Sequence, residues 1–414
     1  MASTEHRVLT MTRLPDSFAA GEAIIRTPLW VGADGAETGD RAILVRTESG
    51  RRIVAAIAEH AVVAALAPQA PRLRADAICP AFVNAHTHLD LSTYPALRAD
   101  FPTFLDEMVR HRRLHPQARG TPAAALGLRH LIDQRVAAVG DIVARESVLV
   151  SELQQSPLPG VAYWEVVCTN QAAAASAIEV LSRRLPAWRT LQRPGGPVLG
   201  LAPQSPYLVC RDVLQFLART ARAEGLPLQI HVAESPAEIE FFRTGGGALA
   251  RALRSAGFVV PPDPAQLGFT PAPNLSPVRY LAEIGFLDAS PTLVHCANVS
   301  DEDIRIIAEH GCPVVTCPRS NANLGCGVFP WQRFADAGVS IALATDSVAS
   351  AHSLDLGAEL AAAFAAFGAD FGLGTALEWL TAGASRALGR AAQTVAPGSP
   401  VDALTLLNLR RDLA

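Results

Sequence analysis

Lysine does not occur anywhere in this chain of 414 residues, and all 35 basic side chains are arginine. The glycine run Gly245–Gly247 therefore cannot complete a nucleotide-phosphate loop, which needs a lysine followed by serine or threonine, and it reads as a turn. No glycine-rich dinucleotide fingerprint follows an early strand-like run either. Charged residues are sparse, at 18%, with both signs scattered and a formal net charge of -4, so nothing points to a phosphate-backbone binder. Aromatics make up 6% and do not interleave with a basic stripe, which removes a stacking platform for single-stranded nucleic acid.

Long apolar runs are also missing. The opening MASTEHRVLTMTRLPDSF has no apolar core of signal-peptide type, and LAAAFAAFGADFGLGTAL from Leu360 is broken by Asp370 and reads as helix and turn, not a membrane span. The seven cysteines are odd in number and widely spread, so no disulfide framework is expected and the expected location is cytoplasmic. What the chain has in quantity is apolar residues, half of the total. With its length, that suffices for one large core with an accessory domain, or for two ordinary domains.

The first 65 or so residues carry short β-like runs, AIIRTPLWVG, GDRAILVR and RRIVAAIA, separated by glycine or charged turns. PVDALTLLNL from Pro400 is another such run. It is either an independent tail or a piece that completes one small domain with the amino-terminal strands. Between these ends the pattern changes. CPAFVNAH, VGDIVA, AYWEVV, PVLGLAP, PLQIHVA, PTLVHCA, CPVVTCP and VSIALATD are eight apolar strand candidates, separated by helix-length segments such as RDVLQFLARTARAEG and DEDIRIIAEHG. That alternation predicts an eight-stranded β/α barrel, with an open doubly wound sheet as its rival.

Several strands end in a chemically capable residue. His86 and His88 end the first, in NAHTH; a strand repeats its side-chain direction every two residues, so both imidazoles can face one ion. His231 closes the fifth, His295 the sixth and Asp346 the eighth. In a barrel these ends meet at one mouth, and burying so many polar groups without partners would be costly. We assign His86, His88, His231 and Asp346 as ligands of a divalent ion, zinc first and iron as the alternative. His295 is placed beside the water that such an ion activates, although sequence alone does not separate its role from ligation. His310, in IAEHGCP, reads as the end of a surface helix. Glu234, three residues past His231 in HVAESPAEIEFF, falls on a loop over the ion, where a carboxylate can take a proton from water and pass it to a departing nitrogen. Glu238 fits a helix start better.

From about Leu44 onward the chain resembles the metal-dependent amidohydrolase superfamily, in its branch of deaminases and chlorotriazine hydrolases. The matching pieces are PAFVNAHTHLDLS, IHVAESPAEIEF, LVHCANVSDEDI, CPRSNANLGCGVFPWQRFADAGVSIALATDS and PGSPVDALTL. Within that branch, CPRSNANLGCG and HVAESPAEIEFF are most similar to aminodeoxyfutalosine deaminases. The resemblance implies a distorted (β/α)8 TIM barrel over residues 75–392 and a small β-sandwich from residues 1–74 and 393–414. It implies that His86, His88, His231 and Asp346 bind one metal, while Glu234 and His295 handle water and protons, and that Asp346 shares in catalysis. Many binuclear relatives bridge two metals with a carboxylated lysine; a chain without lysine cannot, so a single metal is expected.

Arg319, Ser320 and Asn321 are expected on the loop after the seventh strand, where Arg319 or Asn321 would contact substrate; the other reading of Asn321 is a turn residue. Gln204, in LAPQSPY, stands where relatives acting on adenine nucleosides carry a histidine, so it is placed at the substrate with altered specificity. The expected reaction is hydrolytic deamination of an amino-purine nucleoside-like or related heterocycle. The alternatives are a cyclic amidohydrolase, a triazine-type chlorohydrolase and a non-catalytic metal-binding barrel protein. The cysteine-rich zinc signature of tRNA-type deaminases is absent. The expected partner is a small molecule, with no nucleic acid and no membrane; the oligomeric state stays open, a homodimer being one option.

Overall fold

The computed structural model describes residues 11–12, 14, 21–32, 35–256 and 262–412. All eight strand candidates form, in order: β1 (Val83–Thr87), β2 (Ala138–Val143), β3 (Gly160–Val166), β4 (Pro197–Pro203), β5 (Gln229–Val232), β6 (Thr292–His295), β7 (Val314–Thr316) and β8 (Ile341–Leu343). Neighbours pair in parallel within β1–β4 and within β5–β8, with at least one helix between each strand and the next. β1 and β2 are buried at every position, as helix-covered parallel strands are, so neither alternates between core and solvent.

The ladders form two four-stranded sheets, β1–β4 and β5–β8. Single parallel bridges join their edges, Leu201 to Leu228 on one side and Thr87 to Asp346 on the other. Asn84 reinforces the second seam: its Nδ2 donates to Thr345 Oγ1 at 2.8 Å and its Oδ1 accepts from Thr345 N at 3.2 Å. The end of β8 is thereby laid against the histidines of β1. Gly140 lets β1 and β2 approach, since a Cβ there would stand 2.5 Å from Ala85 O. At the start of β3, Gly160 has φ +142° and a Cβ would meet Val139 O at 1.8 Å, so only glycine fits.

The expected single strand CPAFVNAH is two. Ala77–Pro80 pairs antiparallel with Leu404–Leu407, while Val83–Thr87 belongs to the parallel sheet. Pro80 has no N–H to carry a ladder onward, and the chain changes sheets directly after it. Strands from near both chain ends share one sheet. Met11–Thr12, Glu22–Gly32, Gly35–Glu48, Arg51–Glu59, Arg72–Arg74, Ala77–Pro80, Leu404–Leu407 and Arg410–Arg411 form an eight-stranded mixed sheet. Its pairing makes it one sheet, so the ladders by themselves do not define a two-layer sandwich.

The run from Leu360 lies in the helix Leu356–Phe367 and the turn that follows, and no helix among the described residues is long and apolar enough to cross a membrane. His310 caps the helix Asp301–Glu309, as expected. The helix Phe101–Leu114 was not foreseen. Asp100 caps it by accepting from Thr103 N at 2.9 Å, with Pro102 in its first turn, and it packs against the helix Gly247–Ser255.

Candidate metal centre

His86, His88, His231, His295 and Asp346, drawn from β1, β5, β6 and the end of β8, converge. The ligand atoms of His86, His231 and His295, and those of His86, His88 and Asp346, lie within 4.8 Å of one another in each group. All five residues are buried. The backbone turns sharply to deliver them: His295 and Asp346 have φ of +75° and +59°, and Ala233 and Cys296 are also left-handed. Such positions cost on the order of 1–3 kcal/mol each. Hydrogen bonds from Asp346 N to His86 O (3.2 Å), Cys296 N to Val232 O (3.1 Å) and Asn298 N to Ala233 O (2.9 Å) hold them.

Hydrogen bonds also orient the rings. Gln229 Nε2 donates to Ala85 O at 3.2 Å, which turns its Oε1 to accept from His86 Nδ1 at 2.7 Å. The His86 proton is therefore on Nδ1, and Nε2, buried and without a hydrogen-bond partner, carries a lone pair. His231 Nδ1 donates to the Gln204 carbonyl at 2.7 Å, and His295 Nδ1 to Asn321 Oδ1 at 3.0 Å. Asp346 Oδ2 accepts from Ser320 Oγ (2.7 Å) and Ser350 Oγ (2.8 Å), which leaves Oδ1 facing His86 Nε2 and His88 Nε2, each at 3.5 Å.

Lone pairs thus point at one another across a buried space, an arrangement that a cation between them would resolve. Charge states agree. Burial lowers His88 well below its ordinary range, His231 to about 3 and His295 to about 4, so these imidazoles are neutral donors. For Asp346, burial alone would raise the carboxyl, but the His86, His88 and His295 rings that face it outweigh burial and hold its pKa well down. Three neutral imidazoles and a carboxylate suit a divalent ion of zinc type.

Glu234 stands beside this cluster, its Oε1 3.5 Å from His295 Nε2. Burial first, then the charges of Asp346 and Glu238, raise its carboxyl well above the usual range, which suits a group that must hold and release a proton. The loop is tied down by Glu234 N donating to Glu238 Oε2 (2.8 Å) and by Asn298 Nδ2 donating to Glu234 O (2.7 Å). Glu238 does start a helix, as expected, but its carboxylate also sets the backbone of Glu234.

His88, His231, Glu234, His295 and Asp346 line a cavity of about 360 Å³. Its apolar wall comes from the helix Phe101–Leu114 through Phe101, Phe104, Leu105 and Met108. Gln204 lines it too, with its Oε1 buried and unpartnered. Arg319 is not among the lining residues: its Nη1 donates to Ser353 Oγ at 3.0 Å and its backbone N to Glu359 at 2.8 Å, which turns the guanidinium away from the cavity. Asn321 also lies outside the lining; it stands behind His295 and orients that ring. From the helix Pro318–Asn323, Arg319 thus turns to Ser353 and Asn321 to His295.

Sequence reading missed a second set of polar residues. Arg119 Nε donates to buried Asp90 at 2.7 Å, and its Nη2 is 3.7 Å from Glu165, with Arg119 and Glu165 both on the cavity wall. Burial opposes the guanidinium charge, but Asp90 and Glu165 keep Arg119 protonated. Asp90 follows His88 by two residues and was within reach of the motif; Glu165 was hidden in an apolar strand. Asp141 Oδ1 accepts from Thr87 Oγ1 (2.9 Å) and Leu89 N (2.7 Å), bracing the turn that carries the first two histidines.

The Gln229 contact leads to a measurable expectation. Gln229→Leu keeps the volume but removes the acceptor that fixes the His86 proton, so metal affinity should fall by about 10–100-fold. Competition with a chromogenic chelator measures it, and circular dichroism should stay unchanged.

Imidazoles gathered around a carboxylate, with a second buried carboxyl next to them on the wall of a cavity, fit a metal-dependent hydrolase. The chain belongs to the amidohydrolase family, whose pattern matches residues 77–411. It is 45% identical over 296 residues to the aminodeoxyfutalosine deaminase of Deinococcus radiodurans, a span covering 71% of this chain and 69% of that protein. Its fold matches Helicobacter pylori aminofutalosine deaminase in complex with methylthio-coformycin at a TM-score of 0.71 and 20% identity, over 95% and 93% of the two chains. An adenosine deaminase from Xanthomonas campestris with bound zinc matches at 0.64 and 21%, over 92% and 84%. At those identities the two structures share the fold. The family and the relative at 45% identity support an enzyme of deaminase type.

Proposed function

We propose that this protein hydrolytically deaminates an amino-purine nucleoside-like substrate with one divalent ion, zinc or iron, held by His86, His88, His231 and Asp346. The observation that carries this reading is the buried Glu234 carboxyl, 3.5 Å from His295, on the wall of the cavity into which the ligand cluster opens. The Deinococcus radiodurans relative supports the substrate class.

When bound, the ion would supply Lewis acidity, lowering the pKa of a water in the cavity. Glu234 takes the proton from that water as it attacks the ring carbon bearing the amine, and returns it to the departing nitrogen. His295, held by Asn321, and Asp346, held by Ser320 and Ser350, steady the charge that develops. Gln204 offers its unpartnered Oε1 to a substrate donor. The cavity volume is within the range of sites that enclose small ligands. With no lysine to be carboxylated, a bridged pair of ions of that kind is excluded.

For the scaffold we propose a distorted eight-stranded barrel over residues 75–392, supported by the bridges at both seams, with a small β-sandwich from 1–74 and 393–414. A cytoplasmic location fits seven cysteines that are all free thiols.

The test is ammonia release by the purified protein from a panel of 6-aminopurine nucleosides, before and after chelation and after metal return, with elemental analysis of each sample. The expected result is about one ion per chain and ammonia release that chelation stops and metal restores. Chloride release from a chlorotriazine, or ring opening of a cyclic amide without ammonia, would replace the deaminase reading. Two tightly held ions per active chain would overturn the single-ion site.

A further inference from the structure

Away from the metal centre, the segments following β3 and β4 bring two thiols together. Cys168 N donates to Leu208 O at 3.0 Å and Cys210 N to Cys168 O at 2.7 Å, a parallel bridge that places Cys168 opposite Val209. Their Sγ atoms are 3.8 Å apart. Cys79, Cys312 and Cys326 instead direct their sulfurs at the carbonyls of Thr405, His310 and Leu324. A disulfide requires the sulfurs to close to about 2.0 Å, a movement that side-chain rotation can supply while the backbone bridge holds the two residues side by side. Cys168 is 8% exposed and Cys210 fully buried, so an oxidant meets Cys168 first.

We propose that Cys168 and Cys210 form a peroxide-oxidisable dithiol, a modification site that ties the segment after β3 to the helix that follows β4. The hydrogen bond from the Cys210 thiol lowers the pKa of Cys168 despite its burial, which makes Cys168 the attacking thiolate and Cys210 the resolving thiol. The Cys168 thiolate attacks one oxygen of hydrogen peroxide, breaks the O–O bond and becomes a sulfenic acid, while the other oxygen leaves as hydroxide and is protonated to water. The Cys210 sulfur then attacks the Cys168 sulfur, its proton leaving with the sulfenic oxygen as a second water. Two thiols and one peroxide give one disulfide and two waters, with both sulfurs oxidised and the peroxide reduced.

The bond would close a loop between positions 42 apart. It would pin the wall of the catalytic cavity: Val167 and Leu208, each adjacent to a bonded or bridged residue, line that cavity. Gln204, on the same β4 segment, holds His231 through its carbonyl.

The metal-loaded protein is treated with hydrogen peroxide, alkylated in denaturant and digested after arginine. The expected product is a single linked species joining the peptide with Cys168 to the peptide with Cys210, two hydrogens lighter than their sum and released by reductant. The unfolding midpoint of the oxidised protein should rise by about 2–6 °C, because the crosslink restricts the unfolded chain. That rise should vanish with reductant and be absent in Cys168→Ala and Cys210→Ala. Recovery of both residues from the treated wild-type protein as separate thiols or sulfinic acids overturns the proposal, and this readout stands even where a variant does not fold. A linked peptide with an unchanged midpoint overturns the tie between the two segments.

Discussion

Glu234→Gln should lower kcat/KM by about 10²–10⁴-fold, the range that a general acid and base typically contributes. The amide keeps the size of the side chain and loses only the ability to accept a proton. What positions the residue is backbone bonding, through Glu234 N to Glu238 and Glu234 O from Asn298, and the substitution leaves both in place. Glu234 is also outside the groups of His86, His88, His231, His295 and Asp346 atoms that converge, so metal content should match the wild type. Ammonia release on one substrate, with metal measured in every sample, reads both quantities. Turnover within about threefold of wild type would show that another group carries the proton.

Asp346→Asn should fail differently, losing metal and rate together. Ser320 and Ser350 donate hydroxyl protons to Oδ2, so the asparagine will turn its carbonyl to them and its NH2 toward His86 Nε2 and His88 Nε2. That NH2 satisfies the lone pairs an ion would otherwise take. Metal content should drop well below one per chain, and kcat/KM should fall by more than the roughly 10–100-fold that changes to outer partners cost. The backbone will not object: position 346 is left-handed, with φ +59°, and asparagine is among the few residues that adopt that region readily. Metal-free Asp346→Asn should therefore unfold at no lower temperature than metal-free wild type. A full complement of metal in the variant would remove Asp346 from the ligand set.

The order of the strands and their alternation with helices were legible because those signals are local. The eight apolar runs, the alternation with helices and the period-two spacing of His86 and His88 are all properties of neighbouring residues. The helix Phe101–Leu114 was legible in principle, with Asp100 and Pro102 marking its start and Phe101, Phe104, Leu105 and Met108 along one face. Its many charges obscured that stripe. The surroundings of Arg319 and Asn321 were illegible for the opposite reason. Both residues sit in a polar loop-like segment next to a glycine-rich stretch, yet a short helix turns one toward Ser353 and the other behind His295.

By itself the sequence determined which residue types could hold an ion, that each would stand at a strand end, and that no carboxylated lysine could bridge a second ion. Strand direction and side-chain chemistry are decided within a few residues. Only the tertiary structure decided that Asn84 and Thr345 lock the two sheet edges together and that Gln229 and the Gln204 carbonyl set the ring protons. The same holds for Arg119 and Glu165 meeting on the cavity wall. These partners lie from 27 to 261 positions apart. A polar contact between them exists only when the packing of the whole chain brings their atoms within about 3–4 Å.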